Sequence, residues 1–248
     1  LGTDAVRDRE PALATHGALY SAHTGIIDSH ALVTALQAEL AELGVDVVCR
    51  SPVLRGSPVR GQWQFELGGA STGTFRARQL VNAAGLQAVD VAASLGTTAD
   101  RLPTRYCAKG HYFSLSGRHD FHHLVYPVPA ATGLGIHLTL DLQGQVRFGP
   151  DLCWVEEPEY SFDADAEPRF RRAIERYFPG ISGRALQPAY VGIRPRCYGA
   201  SDPVADFRVD SPRETGSPGL HCLYGIESPG LTAALALGEL VAAAVNEG

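Results

Sequence analysis

The sequence predicts a mixed α/β (α+β) fold that combines a parallel α/β part with an antiparallel sheet part. Two observations support this prediction. A leucine-rich helical pattern ends at a glycine and leads into a β-branched run at residues 45–49, whereas residues 62–67 alternate between apolar and polar side chains. The chain has 248 residues, 45% of them hydrophobic, which is enough for two modest cores. We assign residues 1–100 and 218–248 to the parallel part and residues 101–217 to the antiparallel part.

Composition narrows the functional classes. The formal net charge is −6 and the arginines are scattered, so we expect no nucleic-acid partner. No apolar stretch approaches the roughly 20 residues of a transmembrane helix, although peripheral association with a membrane stays open. The five cysteines include no Cys-x-x-Cys pair, which argues against disulfides and zinc and favours a reducing, cytoplasmic location. His122 and His123 have no third ligand at metal spacing, so we expect no metal.

The parallel part begins with a predicted helix. Asp28 or Ser29 can cap its start, leucines follow at four-residue spacing from Leu32 to Leu40, and Gly44 stands where a left-handed residue ends a helix. Residues 45–49 are rich in β-branched side chains and are predicted to form the next strand. A helix, a glycine and a strand in this order are half of a βαβ crossover.

The next segment predicts antiparallel hairpins. Between residues 52 and 78, Trp63 and Phe65 point to one side while their polar neighbours point to the other. Residues 80–85 are predicted to form a buried strand that ends in small residues, and residues 88–95 to form a helix.

The antiparallel part is rich in predicted strands, which we place at residues 111–115, 124–128, 135–140, 146–149 and 190–196. Gln143 and Gly144 favour a hairpin turn. Residues 168–178 alternate charges with aromatic and aliphatic side chains, which is typical of an exposed amphipathic helix, and Pro179 ends it.

The closing segment combines a strand at residues 220–224, a loop of small residues, and a helix that reaches Asn246. The first turn of such a helix presents unsatisfied N–H groups and the positive end of the helix dipole. It could hold a phosphate, a carboxylate or the carbonyl edge of a bound ring, and Gly225 and Gly230 permit a close approach. A plain strand-to-helix turn explains the same pattern.

Three isolated side chains have both a functional and an ordinary explanation. His137 stands within a predicted strand and faces away from its two apolar neighbours, although most such histidines are surface or satisfied residues. Arg194 could bind a carboxylate through two parallel hydrogen bonds, although most arginines are simply solvated. Lys109 leaves the same two alternatives open.

Several motifs together resemble one known family. They are Gly25-Ile26-Ile27-Asp28, Val81-Asn82-Ala83-Ala84-Gly85, Lys109-Gly110-His111-Tyr112-Phe113, Tyr126-Pro127-Val128-Pro129, residues 133–139, Phe148-Gly149-Pro150, Gly192-Ile193-Arg194-Pro195 and residues 225–232. In this order they resemble the FAD-dependent oxidoreductases of the D-amino-acid-oxidase-like superfamily, and within it the branch that oxidises L-2-hydroxyglutarate. The resemblance implies part of a Rossmann-like FAD domain and an antiparallel-sheet substrate domain that roofs the flavin.

The resemblance also implies roles for particular residues. Those expected to bind FAD are Val53 near the adenine, Ala83, Ala84 and Gly85 near the dinucleotide, and Gly225, Ile226, Glu227, Ser228, Pro229, Gly230, Leu231 and Thr232 along the flavin. Those expected on the substrate side are His137 as a base or polar anchor, Arg194 as a carboxylate clamp, and Lys109 and Tyr126.

One family feature is absent from this sequence. The Gly-x-Gly-x-x-Gly turn that holds the pyrophosphate does not occur here, nor does the acidic residue that follows it. We therefore expect these 248 residues alone to bind FAD weakly or not at all, and an N-terminal segment from the same or another chain to complete the site.

The implied reaction is FAD-dependent oxidation of a 2-hydroxy acid, with L-2-hydroxyglutarate as the expected substrate and hydride transfer to flavin N5. Electrons would then pass to oxygen, a quinone or an electron-transfer protein. Two alternatives stay open: an amino- or imino-acid oxidase of the same superfamily, and a truncated, non-catalytic fragment that needs a partner segment.

Overall fold

The computed structural model describes residues 1–128 and 135–247. Helices lie at α1 (Thr3–Arg7), α2 (Ser29–Glu42), α3 (Ala88–Ser94), α4 (Ala166–Glu175), α5 (Pro212–Thr215) and α6 (Gly230–Glu247), with 3₁₀ turns at Gly69–Ser71, Gly85–Gln87 and Pro179–Ile181. Strands lie at β1 (Val53–Val59), β2 (Gln62–Leu67), β3 (Gly73–Ala77), β4 (Leu80–Asn82), β5 (Tyr106–Leu115), β6 (Leu138–Leu140), β7 (Val146–Phe148), β8 (Cys153–Val155), β9 (Leu186–Arg196), β10 (Arg208–Asp210) and β11 (Leu220–Tyr224). The predicted mixed α/β (α+β) class is confirmed.

The chain divides into two compact units. The first contains Leu1–Leu43, Lys109–Cys153 and Pro158–Ile193, and the second contains Gly44–Ala108, Trp154–Glu157 and Arg194–Gly248. These limits differ from the domains assigned from the sequence, 1–100 with 218–248 and 101–217, and that assignment stays a prediction about functional domains.

The first unit is organised by the register of an antiparallel sheet. Its strand order is β6-β7-β5-β8, and β9 also pairs with β5. Phe148 pairs with Phe113 on one side and Leu138 on the other, so three apolar side chains align on one face. The next register position carries Arg147 between Ser114 and Thr139. Because side chains alternate along strands, the opposite face is polar.

Helix α4 contributes the other half of this core. Phe170 and Ile174 are fully buried beside Phe113 and Phe148, and each such burial stabilises the fold by about 2 kcal/mol. The helix predicted over residues 168–178 as exposed is therefore half-buried. It ends at Glu175, ahead of the Pro179–Ile181 turn.

The second unit contains two three-stranded sheets. Strands β1, β2 and β3 form the predicted antiparallel meander, in which Trp63 is buried and donates a hydrogen bond to the Pro218 carbonyl at 2.8 Å. In the other sheet, the order is β10-β11-β4, and β11 runs parallel to β4. The carboxyl ends of β4 and β11 therefore meet at one edge, where the small residues after Asn82 lie.

Two predicted strands do not form. Residues 45–49 are irregular and exposed, because no described segment pairs with their backbone and an isolated strand leaves its N–H and C=O groups without sheet partners. In the segment 124–128, Val125 makes a single bridge to Leu138, and Pro127 cannot donate to a ladder. As a result β6 begins only at Leu138, and His137 precedes the strand instead of lying within it.

Local signals at the helix ends are confirmed. The Asp28 carboxylate accepts hydrogen bonds from the backbone N–H groups of His30 and Ala31, at 2.9 and 3.0 Å, and so caps α2. Gly44 has a φ of +72°, the left-handed conformation expected after a helix. Among the described residues, no helix combines the length and the apolar character that a bilayer crossing requires.

Candidate functional site

An apolar groove opens in the second unit where β4 and β11 end beside α6. Its volume is about 600 Å³. The lining includes four residues that the sequence assigns to the cofactor, Ala83, Gly85, Ile226 and Gly230. The other wall is the small and aliphatic face of α6, beginning at Ala234. The structure therefore brings two segments 140 residues apart, each predicted to contact the cofactor, to one cavity.

Glycines at this groove are required by backbone geometry. Gly85 and Gly225 have φ values of +58° and +67°, which side-chain-bearing residues seldom adopt. A Cβ on Gly225 would also stand 3.1 Å from the Cys197 Sγ, and one on Gly230 would stand 2.7 Å from a methyl carbon of Ile226. The small residues of the loop therefore permit its backbone conformation and also keep the wall of the groove open.

The loop between β11 and α6 is closed by backbone hydrogen bonds. The Glu227 N–H donates to the Gly225 carbonyl at 2.8 Å, and the Gly230 N–H donates to the Glu227 carbonyl. The Ala233 N–H donates to the Pro229 carbonyl at 3.0 Å and begins the helical ladder. Ser228 lies inside this loop, while Leu231 and Thr232 belong to the first turn of α6.

The Glu227 side chain collects three donors from strand β9 and the residues after it. Its carboxylate accepts hydrogen bonds from Arg194 Nη1 at 3.2 Å, Arg196 Nη2 at 3.1 Å and the Tyr198 hydroxyl at 3.2 Å. Arg196 also approaches through Nε, 2.8 Å from Oε1. Burial, reinforced by the Glu227 carboxylate, raises the pKa of Tyr198. A predicted substrate residue, Arg194, is thereby joined to a predicted cofactor residue.

Arg196 lies beside two aromatic rings, those of Trp154 and Tyr198, whose own centroids are 6.3 Å apart. Its guanidinium carbon is 5.3 Å from the Trp154 ring centroid and 4.9 Å from the Tyr198 centroid. Sequence reasoning missed Arg196, Tyr198 and Trp154. The alternate spacing of Arg194, Arg196 and Tyr198 would have shown that they share one face.

His137 and Tyr126 come together in the first unit. Their ring centroids are 4.4 Å apart, and Tyr126 is more than half exposed. His137 is partly buried between the buried Ile136 and Leu138. The predicted motifs at 126–129 and 133–139 extend into residues 129–134, which lie outside the described part of the chain.

Lys109 lies on the core face of the sheet. It stands four residues before Phe113 on β5 and so shares a face with it, whereas His137 precedes β6. Lys109 is 1% exposed, and its Nζ is 2.7 Å from Asp163 and 2.9 Å from Glu159. Burial is the largest single influence and opposes its charge, but the hydrogen bonds and the negative charges of Asp163 and Glu159 together outweigh burial and raise the pKa of Lys109.

A buried polar cluster that sequence reasoning missed surrounds Lys109. His111 is fully buried, with Nδ1 2.9 Å from Asp151 and Nε2 accepting from the Asp163 N–H at 3.3 Å. Ligand atoms of His111, Cys153 and Asp163 lie within 4.8 Å of one another. Because Lys109 already donates to Asp163, positive charge is supplied there by the protein, and we assign no ion to this cluster.

The other predicted cofactor residues lie around the second core. Val53 begins β1 and packs with Ala84 against the cluster that includes Trp63 and Tyr224. The Ala84 N–H donates to the Asn82 side-chain oxygen at 3.2 Å. Val53 is not among the described residues that line the groove.

Comparisons with known proteins agree with this arrangement. Residues 1–244 match the model of a family described as FAD dependent oxidoreductase. The chain is 40% identical over 176 residues to a mitochondrial L-2-hydroxyglutarate dehydrogenase of Arabidopsis thaliana, covering 66% of this chain and 36% of that one. It is 23% identical to an L-2-hydroxyglutarate dehydrogenase of Escherichia coli K12, covering 99% of this chain and 65% of that one.

Solved structures share the fold at low sequence identity. An FAD-bound L-alpha-glycerophosphate oxidase from Mycoplasma pneumoniae superposes with a TM-score of 0.79 at 20% identity, covering 99% of this chain and 64% of that one. A glycine oxidase from Geobacillus kaustophilus gives the same TM-score and identity, covering 100% and 62%. The chain thus spans less than two thirds of the length of each of these relatives.

Proposed function

Because the chain belongs to the family of FAD-dependent oxidoreductases, we propose that it takes part in oxidising a 2-hydroxy acid of the L-2-hydroxyglutarate type. The two relatives compared above are named for that substrate, and one of them is 40% identical over two thirds of this chain. The single observation that carries the proposal is the contact between Arg194 and Glu227, which joins a carboxylate-binding cation to the loop of the groove.

The groove has the properties that FAD requires of this part of its site. Its walls are apolar, Gly85 and Gly225 allow the backbone to approach a flat ring, and the first turn of α6 opens beside Gly230. Ala83 to Gly85 and Gly225 to Thr232 are the residues we propose to hold the cofactor. Bound FAD would supply the two-electron acceptor for the oxidation.

Arg194 is the residue we propose to bind the substrate carboxylate. A guanidinium group carries five N–H donors in one plane, and Arg194 uses one nitrogen for Glu227. Its side chain is the most exposed of the three charged members of this cluster, at 23% against 10% for Arg196 and 9% for Glu227. A carboxylate held there would be fixed in orientation, which lowers the entropic cost of reaction.

His137 is the residue we propose to accept the hydroxyl proton, with Tyr126 packed against its ring. Oxidation of an alcohol carbon requires a base for this proton, and imidazole is the most frequent one near neutral pH. Lys109 has the weaker claim, because Asp163 and Glu159 already engage its ammonium group on the core face.

A substrate panel tests the proposal. The full-length protein, loaded with FAD, is assayed with an artificial dye as acceptor against L- and D-2-hydroxyglutarate, lactate, glycine and proline. We expect L-2-hydroxyglutarate to give the highest kcat/KM. Turnover with oxygen as the sole acceptor then identifies an oxidase, and turnover only with the dye identifies a dehydrogenase. Turnover of the amines alone would replace the proposal with amine oxidation, since the glycine oxidase shares this fold.

The alternative to an enzyme is a non-catalytic flavoprotein segment, and the cofactor content of the purified protein distinguishes the two. Colourless purified protein that takes up no FAD would favour this alternative, whereas retained flavin would favour the enzyme.

A further inference from the structure

The contacts of Glu227 point to a role beyond the cofactor loop, on the premise that the proposed function holds. We infer that Glu227 is a positioning residue that, together with Arg196, directs Arg194 toward the carboxylate of the substrate. Three observations in the second unit support this inference: the charges around the Glu227 carboxylate, the different contacts of the two arginines, and the two sets of contacts that Glu227 itself makes.

The first observation is the charge of the cluster. Two guanidinium groups and one phenol converge on a single carboxylate that is 9% exposed. One negative charge against two positive charges leaves an excess of one cation. A buried excess charge is costly without a counter-ion, and a substrate carboxylate would provide one.

The second observation separates the roles of the two arginines. Arg196 approaches Glu227 through two nitrogens, and its guanidinium also contacts the rings of Trp154 and Tyr198, so several protein groups restrict its position. Arg194 contacts Glu227 through Nη1 alone and is the more exposed of the pair. Arg196 therefore holds Glu227 in place, and Glu227 holds Nη1 of Arg194, whose side chain keeps 23% of its surface exposed.

The third observation is the dual position of Glu227. Its backbone closes the loop of the groove through Gly225 and Gly230, and its side chain reaches the end of β9. A glutamine would keep the shape and part of the hydrogen bonding. The negative charge is needed only to orient and balance the cations. A substitution by glutamine therefore distinguishes the role of the charge from the role of the side-chain shape.

The test compares Glu227→Gln with the conservative Glu227→Asp and with a control, Glu157→Gln, whose carboxylate pairs with Arg105 and is 75% exposed. In the FAD-loaded full-length protein, we expect Glu227→Gln to raise KM for L-2-hydroxyglutarate about tenfold while kcat falls less than about threefold. Glu227→Asp should recover most of the loss, and Glu157→Gln should match the wild type.

A substrate analogue excludes a merely structural role. With the C1 carboxylate replaced by a carboxamide, the wild type and Glu227→Gln should have equal kcat/KM, because the neutral group does not use the oriented charge. If Glu227→Gln lost the same factor with acid and carboxamide, or lost flavin, the residue would only support the loop, and the inference would be overturned.

A binding measurement that requires no turnover tests this inference separately from the proposed function. Trp154 lies against Arg196, so its fluorescence can be followed during titration with 2-oxoglutarate. The variant Trp154→Phe retains the buried Trp63 and measures the signal that does not come from Trp154. Saturable binding that weakens about tenfold in Glu227→Gln supports the inference even if no 2-hydroxy acid is oxidised. Absence of binding by the wild type, or equal binding by the variant, contradicts it.

Discussion

The Arg194 guanidinium donates a hydrogen bond to the Glu227 carboxylate at 3.2 Å, although the two residues are 33 positions apart. The contact joins the end of β9 to the loop that opens α6. It places the residue proposed to bind substrate next to the residues proposed to bind FAD, within one compact unit. The proposed chemistry depends on this contact, and it can be altered by single substitutions.

Replacing Arg194 tests its role as the carboxylate ligand. We expect Arg194→Lys to lower kcat/KM for L-2-hydroxyglutarate at least about tenfold, because an ammonium group cannot form two parallel hydrogen bonds to a carboxylate. Steady-state kinetics of the FAD-loaded full-length protein measure the effect. Arg55→Lys, at an exposed pair with Glu66, is the matched control. Equal losses of kcat/KM in both variants would show that Arg194 does not bind the substrate carboxylate.

Replacing Gly225 tests the groove. Gly225→Ala forces a side chain into φ +67° and 3.1 Å from Cys197, so we expect loss of about 1 kcal/mol of stability and at least about tenfold weaker FAD binding. Gly61→Ala has a similar φ of +77° in open space and controls for backbone strain alone. Flavin affinity is measured by fluorescence quenching. Equal affinities in the two variants would show that the groove does not bind the cofactor.

Replacing Lys109 distinguishes a structural from a catalytic role. Lys109→Met removes the cation between Asp163 and Glu159, and because these carboxylates are partly exposed we expect a loss of about 1–3 kcal/mol, less than at a fully buried pair. Urea denaturation measures the loss, and the kcat/KM of the folded enzyme should stay within about threefold of the wild type. A stable variant with abolished turnover would instead make Lys109 catalytic.

His221 predicts a pH dependence of stability. It is buried on β11, and burial lowers its pKa below 6.5 in the folded state. As the pH falls through 6.5 the unfolded chain takes up a proton that the folded chain resists, so stability present above this pH is lost on acidification. His221→Leu should reduce the slope of unfolding free energy against pH between about 7.5 and 5.5. An unchanged slope would show that other groups control it.

Local features of the fold could be predicted from sequence, and non-local ones could not. Asp28 and Gly44 indicate the two ends of α2 in the sequence, because helix capping depends only on neighbouring residues. Residues 45–49 have strand composition, but a strand needs a partner, and none of the described segments pairs with them.

The same distinction applies to the site. Alternation along β5 could have placed Lys109 on the same face as Phe113, which belongs to the core. The partners of Glu227 are 29 to 33 residues away and meet it only in the folded chain, so no local pattern predicts their contact. The roles of His137, Tyr126 and the loop residues stay predictions that the substitutions above can test.

The most direct test of the central claim is anaerobic reduction of the bound flavin. The full-length protein loaded with FAD is mixed with L-2-hydroxyglutarate in the absence of oxygen, and the visible absorbance of the oxidised flavin is followed. We predict rapid, stoichiometric bleaching by the L-acid and much slower bleaching by its carboxamide. Bleaching by glycine or proline with no response to the L-acid would contradict this prediction.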